Sequence, residues 1–172
     1  MHPTHPARYD SPVLHMKLFI LAAVLGLATP AVSQSSSLTN RGRDAYPLWY
    51  DTFYDDPQTS LNSVACWTGG YGLIGSGYNT FGDLLTYPAV GGIPMIDGWN
   101  SPNCGTCWLL TYTHANGNVV STLFTAINVG DQNPDGFTIS QATMNYLTNE
   151  NAGAFDGATI GVIQMMAADC GF

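Results

Sequence analysis

The side chains able to do acid–base chemistry on a glycan are Asp51, Asp83, Asp97, Asp131, Asp135 and Glu150. Glycoside hydrolysis needs two carboxyl groups at a set separation, one of them kept protonated by burial. Asp131 and Asp135 lie in DQNPDG, a turn-type run in which aspartate bonds its own backbone. Asp55-Asp56-Pro57 reads the same way, and Glu150 lies in a polar NEN loop. Asp51 sits within an aromatic run and Asp97 just before Gly98-Trp99, so both are placed to face a groove. A Ser-His-Asp triad would have to use His114, beside the turn pair Asn116-Gly117, where a solvated histidine is the simpler reading. There is no nucleophile elbow, phosphate loop or dinucleotide fingerprint, and no cofactor is expected. One histidine far from the cysteines does not make a zinc site.

Aromatic surface with directional polar groups is what the chain does offer. Neutral polysaccharide is held by aromatic faces against C–H surfaces, with a few polar groups to orient it. The candidates are Trp49, Tyr50, Trp67, Tyr71, Tyr78, Trp99 and Trp108, with Asp51, Asp97, Asn100, Ser101 and Asn128. A structural role competes at several of them. Trp108 directly follows a cysteine and reads as core, and Asn100-Ser101-Pro102-Asn103 is good turn chemistry whatever it binds.

These residues need a scaffold, and 172 residues suggest one compact domain. The formal net charge is −8, with only 9% charged residues. Such a chain cannot neutralise phosphates and is repelled by anionic membranes, which leaves uncharged partners. Lys17 precedes LFILAAVLGL, then Ala31 and Ser33 at small positions: a secretory signal over residues 1–33, too short to span a bilayer. Met16 would give that signal a more ordinary start. Cleavage after Ser33 removes Asp10, Arg8 and Lys17, which turns −8 into −9 and leaves no lysine and a single histidine, His114. Residues 34–46 read as a flexible extension and 47–172 as the folded domain. Four cysteines in a secreted chain imply two disulfides, with three pairings open.

Residues 47–54, PLWYDTFY, and 61–66 read as strands, and 67–77, holding five glycines, as loop. Residues 79–85 suggest a turn or two of helix capped by Asn79. The run 91–108, GGIPMIDGWNSPNCGTCW, is so rich in glycine and proline that it reads as a rigid, irregular connection rather than a regular strand. Residues 108–113 and 119–129 form a hairpin around Asn116-Gly117. Residues 140–148 are the best helix, with Ser140 as cap and Met144 and Leu147 on one face. A loop over 149–157 leads to a last strand over 158–167. The sum is a mainly β fold, a small disulfide-stapled barrel or sandwich.

GWNSPNCGTCW, preceded in order by YDTFYDDP, LNSVAC, GLI and VGGIP, resembles the signature of the cerato-platanin family, secreted fungal proteins related in fold to the expansin barrel. The likeness covers roughly residues 50–171. It implies a six-stranded double-psi β-barrel with one or two short helices. With the secreted context it favours Cys66–Cys104 and Cys107–Cys170 over a redox-type Cys104–Cys107 bridge. It also implies a shallow carbohydrate groove along Tyr50, Asp51, Asp97, Trp99, Asn100, Ser101 and Asn128. The expected protein is extracellular, at the cell wall, and a monomer or weakly self-associating. It binds chitin or N-acetylglucosamine oligomers, loosens polysaccharide without cutting it, and is sensed by a host plant receptor. One departure stands out. Relatives carry an aspartate in an A-I-D word where this chain has Ala126-Ile127-Asn128, and asparagine cannot supply an acidic proton. Two rival expectations are a weak glycan hydrolase using Asp51, Asp97 and Asp131, and a surface-active wall-coating protein.

Overall fold

The structure is a computed structural model and describes residues 44–132 and 135–172. The signal segment expected over residues 1–33, and its cleavage point, lie outside the described residues. Seven strands run β1 (Asp44–Tyr50), β2 (Val90–Ile93), β3 (Cys107–Thr113), β4 (Val119–Val129), β5 (Asp131–Gln132), β6 (Asp135–Ile139) and β7 (Ala158–Gln164). Six of them form a ring in the order β1-β7-β3-β4-β2-β6, and β6 returns to β1. The closing β1–β6 pair and the β2–β4 pair are parallel, and the other ring pairs are antiparallel. β5 pairs with β6 alone. The closed six-stranded barrel and the two helices, α1 (Gln141–Thr148) and α2 (Ala152–Phe155), match the fold expected from the resemblance.

Alternating apolar residues of the strands meet in the barrel. Leu48, Leu110, Phe124, Ile127, Phe137, Ile139 and Val162 are essentially inaccessible. Phe137 is central, with the rings of Tyr46, Trp108 and Phe124 at 5.5, 5.7 and 5.9 Å. Trp108 is therefore core, as its place beside a cysteine implied. Both disulfides pair as the resemblance implied, with Cα–Cα distances of 5.3 Å for Cys66–Cys104 and 5.6 Å for Cys107–Cys170. The β3–β4 hairpin turns on Gly117 at φ +85, closed by His114 N–H to Asn118 O at 2.8 Å. The Ser140 hydroxyl caps α1 by accepting from Thr143 N–H at 3.0 Å, and Met144 and Leu147 face the core.

Several local expectations are corrected, each for a visible reason. β1 starts at Asp44, so residues 44–46 are not extension: they pair with 160–162 of β7. β1 stops at Tyr50, four residues early, because the Asp51 carboxylate accepts from Phe53 N–H at 2.9 Å and turns the chain into a 3-10 segment, Thr52–Asp55. Residues 61–66 are not a strand. Ser60 caps a 3-10 turn, Leu61–Ser63, by accepting from Asn62 N–H. The helical stretch near 79–85 shrinks to Phe81–Asp83, preceded by Thr80 rather than Asn79. The Asp83 carboxylate takes both the Asn79 and Thr80 N–H groups, at 2.8 and 2.9 Å, and these bonds hold it below the usual carboxylate range. The 149–157 loop contains α2, and β7 ends at Gln164.

The largest correction is β2. Residues 91–93 belong to a ring strand, paired on both sides, and not to an irregular connection. A glycine pair is compatible with a strand here because neighbours crowd both positions. A Cβ on Gly92 would lie 2.1 Å from the Val129 carbonyl oxygen, and one on Gly91 2.0 Å from that of Thr138. The register shifts between them: Gly91 opposes Ala126 and Gly92 opposes Asn128. Ile127 is the extra residue of this bulge, and the residue after it is re-aimed. That residue is Asn128.

Candidate functional site

Asn128 leaves the bulge with both ends of its amide engaged. Its Oδ1 accepts from Ala65 N–H at 3.0 Å, and its Nδ2 donates to the Tyr54 hydroxyl at 3.0 Å. Tyr54 is 4% exposed and packs against Phe53 and Phe81. Burial pushes its hydroxyl up from 10.0 to about 12; the Asn128 hydrogen bond opposes this and the nearby Asp51 charge adds to it. Asp51 is exposed, with Oδ1 committed to Phe53 N–H. Tyr50 is half-buried at the end of β1, its N–H donated to the Asp156 carboxylate at 3.3 Å.

The raised hydroxyl predicts a pH dependence. A tyrosine whose folded value exceeds its unfolded one contributes stability below the unfolded value and loses it as pH rises through the folded one. The window is therefore from 10.0 to about 12. Urea unfolding at pH 9 and pH 12 should show wild type losing about 2–3 kcal/mol more than Tyr54→Phe. Parallel curves for the two proteins would contradict the burial of this hydroxyl.

A second group forms around residues 97–101. Trp99 is 61% exposed, and its Nε1–H donates to Thr68 Oγ1 at 3.3 Å. Asn100 sits at φ +60, a conformation asparagine tolerates, and its Oδ1 accepts from Tyr71 N–H at 3.3 Å. A Cβ at Gly69 would lie 2.3 Å from that Oδ1, so the contact requires glycine there. Trp67 and Tyr71 are exposed beside these residues. Asp97 is exposed too. Ser101 is 2% exposed and accepts from Asn103 N–H at 3.4 Å, so it shapes the turn from beneath.

Residues 65–71 join the two groups. Ala65 meets Asn128, Cys66 N–H donates to Ile127 O at 3.1 Å, and Thr68 and Tyr71 meet Trp99 and Asn100. The Cys66–Cys104 disulfide ties this segment to the loop after Asn100. The result is one strip, with Asp51, Tyr54 and Asn128 toward one end and Trp67, Tyr71, Trp99 and Asn100 toward the other. Tyr54 and Thr68 were not foreseen. The only hint of Tyr54 was its place three residues after Asp51; nothing marked Thr68.

The chemistry open to this strip is limited. Asp51 and Asp97 are both exposed, whereas a glycosidase acid is held in an apolar pocket. His114 lies at the hairpin tip, edge-on to Tyr112 at 4.8 Å. Among the described residues no group of three or more His, Cys, Asp or Glu could hold a metal ion. No helix among them is long and apolar enough to cross a membrane. Residues 44–172 contain no lysine or arginine. Aromatic faces and neutral hydrogen-bonding groups remain.

A closed six-stranded barrel, stapled by two disulfides through Cys104 and Cys107 of its signature run and edged by exposed tryptophans, defines a class of small cysteine-bridged barrel proteins. Known proteins place the chain within that class. The cerato-platanin family model matches residues 47–172. The heat-stable 19 kDa antigen of Coccidioides immitis is 35% identical over 91% of this chain and 99% of its own length. The crystal structure of cerato-platanin 2 from M. perniciosa superposes with a TM-score of 0.70 at 36% identity, covering 75% of this chain and all of that one. The solution structure of the fungal elicitor cerato-platanin gives 0.60 at 33% identity, over 72% and 95% of the two chains. The chain belongs to the cerato-platanin family.

Proposed function

We propose that the protein is a secreted, extracellular cell-wall protein that binds neutral polysaccharide without cutting it, with chitin or N-acetylglucosamine oligomers as ligand. The observation that carries this is the strip of exposed aromatic residues, Trp67, Tyr71 and Trp99, held on loops pinned by the Cys66–Cys104 disulfide. Pre-set aromatic faces bind sugar rings with little ordering cost, and Asp51, Asp97, Asn100 and Asn128 supply directional groups. Tyr50 borders the same strip, while Ser101 supports its turn. Loosening of a polysaccharide network follows from competition for stacking and hydrogen bonds between chains and needs no nucleophile. Recognition by a host plant is supported by likeness to a protein described as a fungal elicitor.

The test is titration with N-acetylglucosamine oligomers followed by amide NMR, with reducing ends assayed on the same samples. Shifts should cluster at 50–51, 65–71, 97–101 and 128, without new reducing ends. Trp99→Ala removes one stacking face and should weaken binding about tenfold. Equal affinity of that variant and wild type would defeat the reading. Release of reducing ends would turn attention to Asp51, Asp97 and Asp131.

A further inference from the structure

A separate cleft of about 240 Å³ opens between the segment leading into β2 and the first turns of α1. Its walls include Thr86, Tyr87 and Pro88 on one side, Thr143 and Tyr146 on the other, and Thr122 of β4. It shares no residue with the aromatic strip. We propose that it is a second binding site, for a single neutral, hydroxyl-bearing ring of pyranose size.

Four observations carry this. First, the volume lies just below the range of about 300–1,000 Å³ typical of drug-sized ligands, so one ring is the scale of occupant it admits. Second, every lining residue is uncharged, and the nearby Asp55 carboxylate, committed to Ala142 N–H, repels an anion, so an anionic ligand is disfavoured.

Third, the cleft is lined by hydroxyl residues with accessible surface: Thr86 and Thr122 are partly exposed and Tyr146 is 59% exposed. Each hydroxyl can serve as donor or acceptor, which matches a sugar hydroxyl that does both. The Ser140 and Thr143 hydroxyls behind them are buried and satisfied by Pro88 O and by each other, so they set the wall and do not meet the ligand.

Fourth, Tyr146 is 59% exposed and offers a flat face on the same side of α1 as Thr143. The walls are fixed in advance. The Tyr87 hydroxyl donates to Asp55 O, the Asp55 carboxylate accepts from Ala142 N–H at 2.9 Å, and Ser140 reaches Pro88. Both sides of the cleft are thus tied to each other and to the 3-10 segment after β1.

The probes are monomeric glucose and N-acetylglucosamine, followed by amide NMR on the oxidised full domain. Monosaccharide-sized ligands should saturate shifts at 86–89, 122 and 142–146 with Kd on the order of 1–10 mM. Tyr146→Ala should weaken this about fivefold or more, Tyr146→Phe should keep it within about twofold, and Trp99→Ala should leave it unchanged. Absence of saturable shifts in this region would overturn the proposal, and so would indifference to Tyr146→Ala. Equal or tighter binding of cyclohexane than of glucose would overturn the assigned ligand class. Because Trp99→Ala reports on the strip alone, failure at one site is distinguishable from failure at the other.

Discussion

Replacing Cys107 and Cys170 together by alanine is expected to cost about 4 kcal/mol of stability. The two cysteines are 63 positions apart, and a cross-link of that span removes much loop-closure freedom from the unfolded chain. The loss also reaches into the native state. Both cysteines are 1% exposed, and the bridge anchors the 3-10 segment Ala167–Cys170 beneath β3 and β4. Without it, that end keeps Met165 N–H to Cys107 O at 2.8 Å, the Tyr78 hydroxyl donating to Gly171 O at 3.2 Å and the contact of Phe172 with Tyr78 at 5.2 Å. Guanidinium unfolding of the double variant against wild type, both oxidised, reads the difference. The variant should keep its Cys66–Cys104 bridge and its strip, so oligomer binding should survive under conditions where it is folded. A loss under about 1 kcal/mol would show that the barrel does not depend on this staple.

Gly92→Ala should be comparably damaging, although it adds one methyl group. The new carbon would sit 2.1 Å from the Val129 carbonyl oxygen and 2.9 Å from Gly130 Cα, both backbone atoms that cannot swing aside. Relief requires β2 and β4 to separate at the bulge, with loss of ladder hydrogen bonds in a closed ring. A cost of about 3 kcal/mol or more is expected, at the upper end for point changes. The ring's parallel β2–β4 pair would loosen where Asn128 is aimed, so binding should fall along with stability. The readout is the unfolding midpoint, with oligomer affinity measured on the folded fraction. Gly75→Ala, where a Cβ meets nothing within 4 Å, is the control and should be near neutral. A Gly92→Ala protein as stable as this control would mean that the strands do not approach so closely.

This glycine pair also shows where the sequence was hard to read. Strands normally advertise themselves by β-branched and aromatic residues, and VGGI does so only at its ends. Its two glycines answer to the backbone of the strand next door, which no local pattern reveals. The β3–β4 hairpin was legible because Asn116-Gly117 encodes its own turn, and α1 because Ser140, Met144 and Leu147 carry cap and face together. The end of β1 was misplaced because Asp51 was weighed as a carboxylate for chemistry and not as a cap. The same residue types that suggested a groove, Asp51, Asn100 and Ser101, turn out to hold backbone N–H groups. Trp99 is 61% exposed. Tyr54 escaped notice because its partner, Asn128, lies 74 positions away.

The ring has a consequence for when the protein can fold. β1, the first strand of the barrel, pairs only with β6 and β7, the last two strands of the ring. As the chain emerges from its site of synthesis, its opening strand has nowhere to dock until nearly everything behind it has been made. The hairpin of β3 and β4 is the one large piece that can assemble early from neighbours in sequence. The ring therefore cannot close until β6 and β7 have both been made, and until then the early part of the chain remains an open thread.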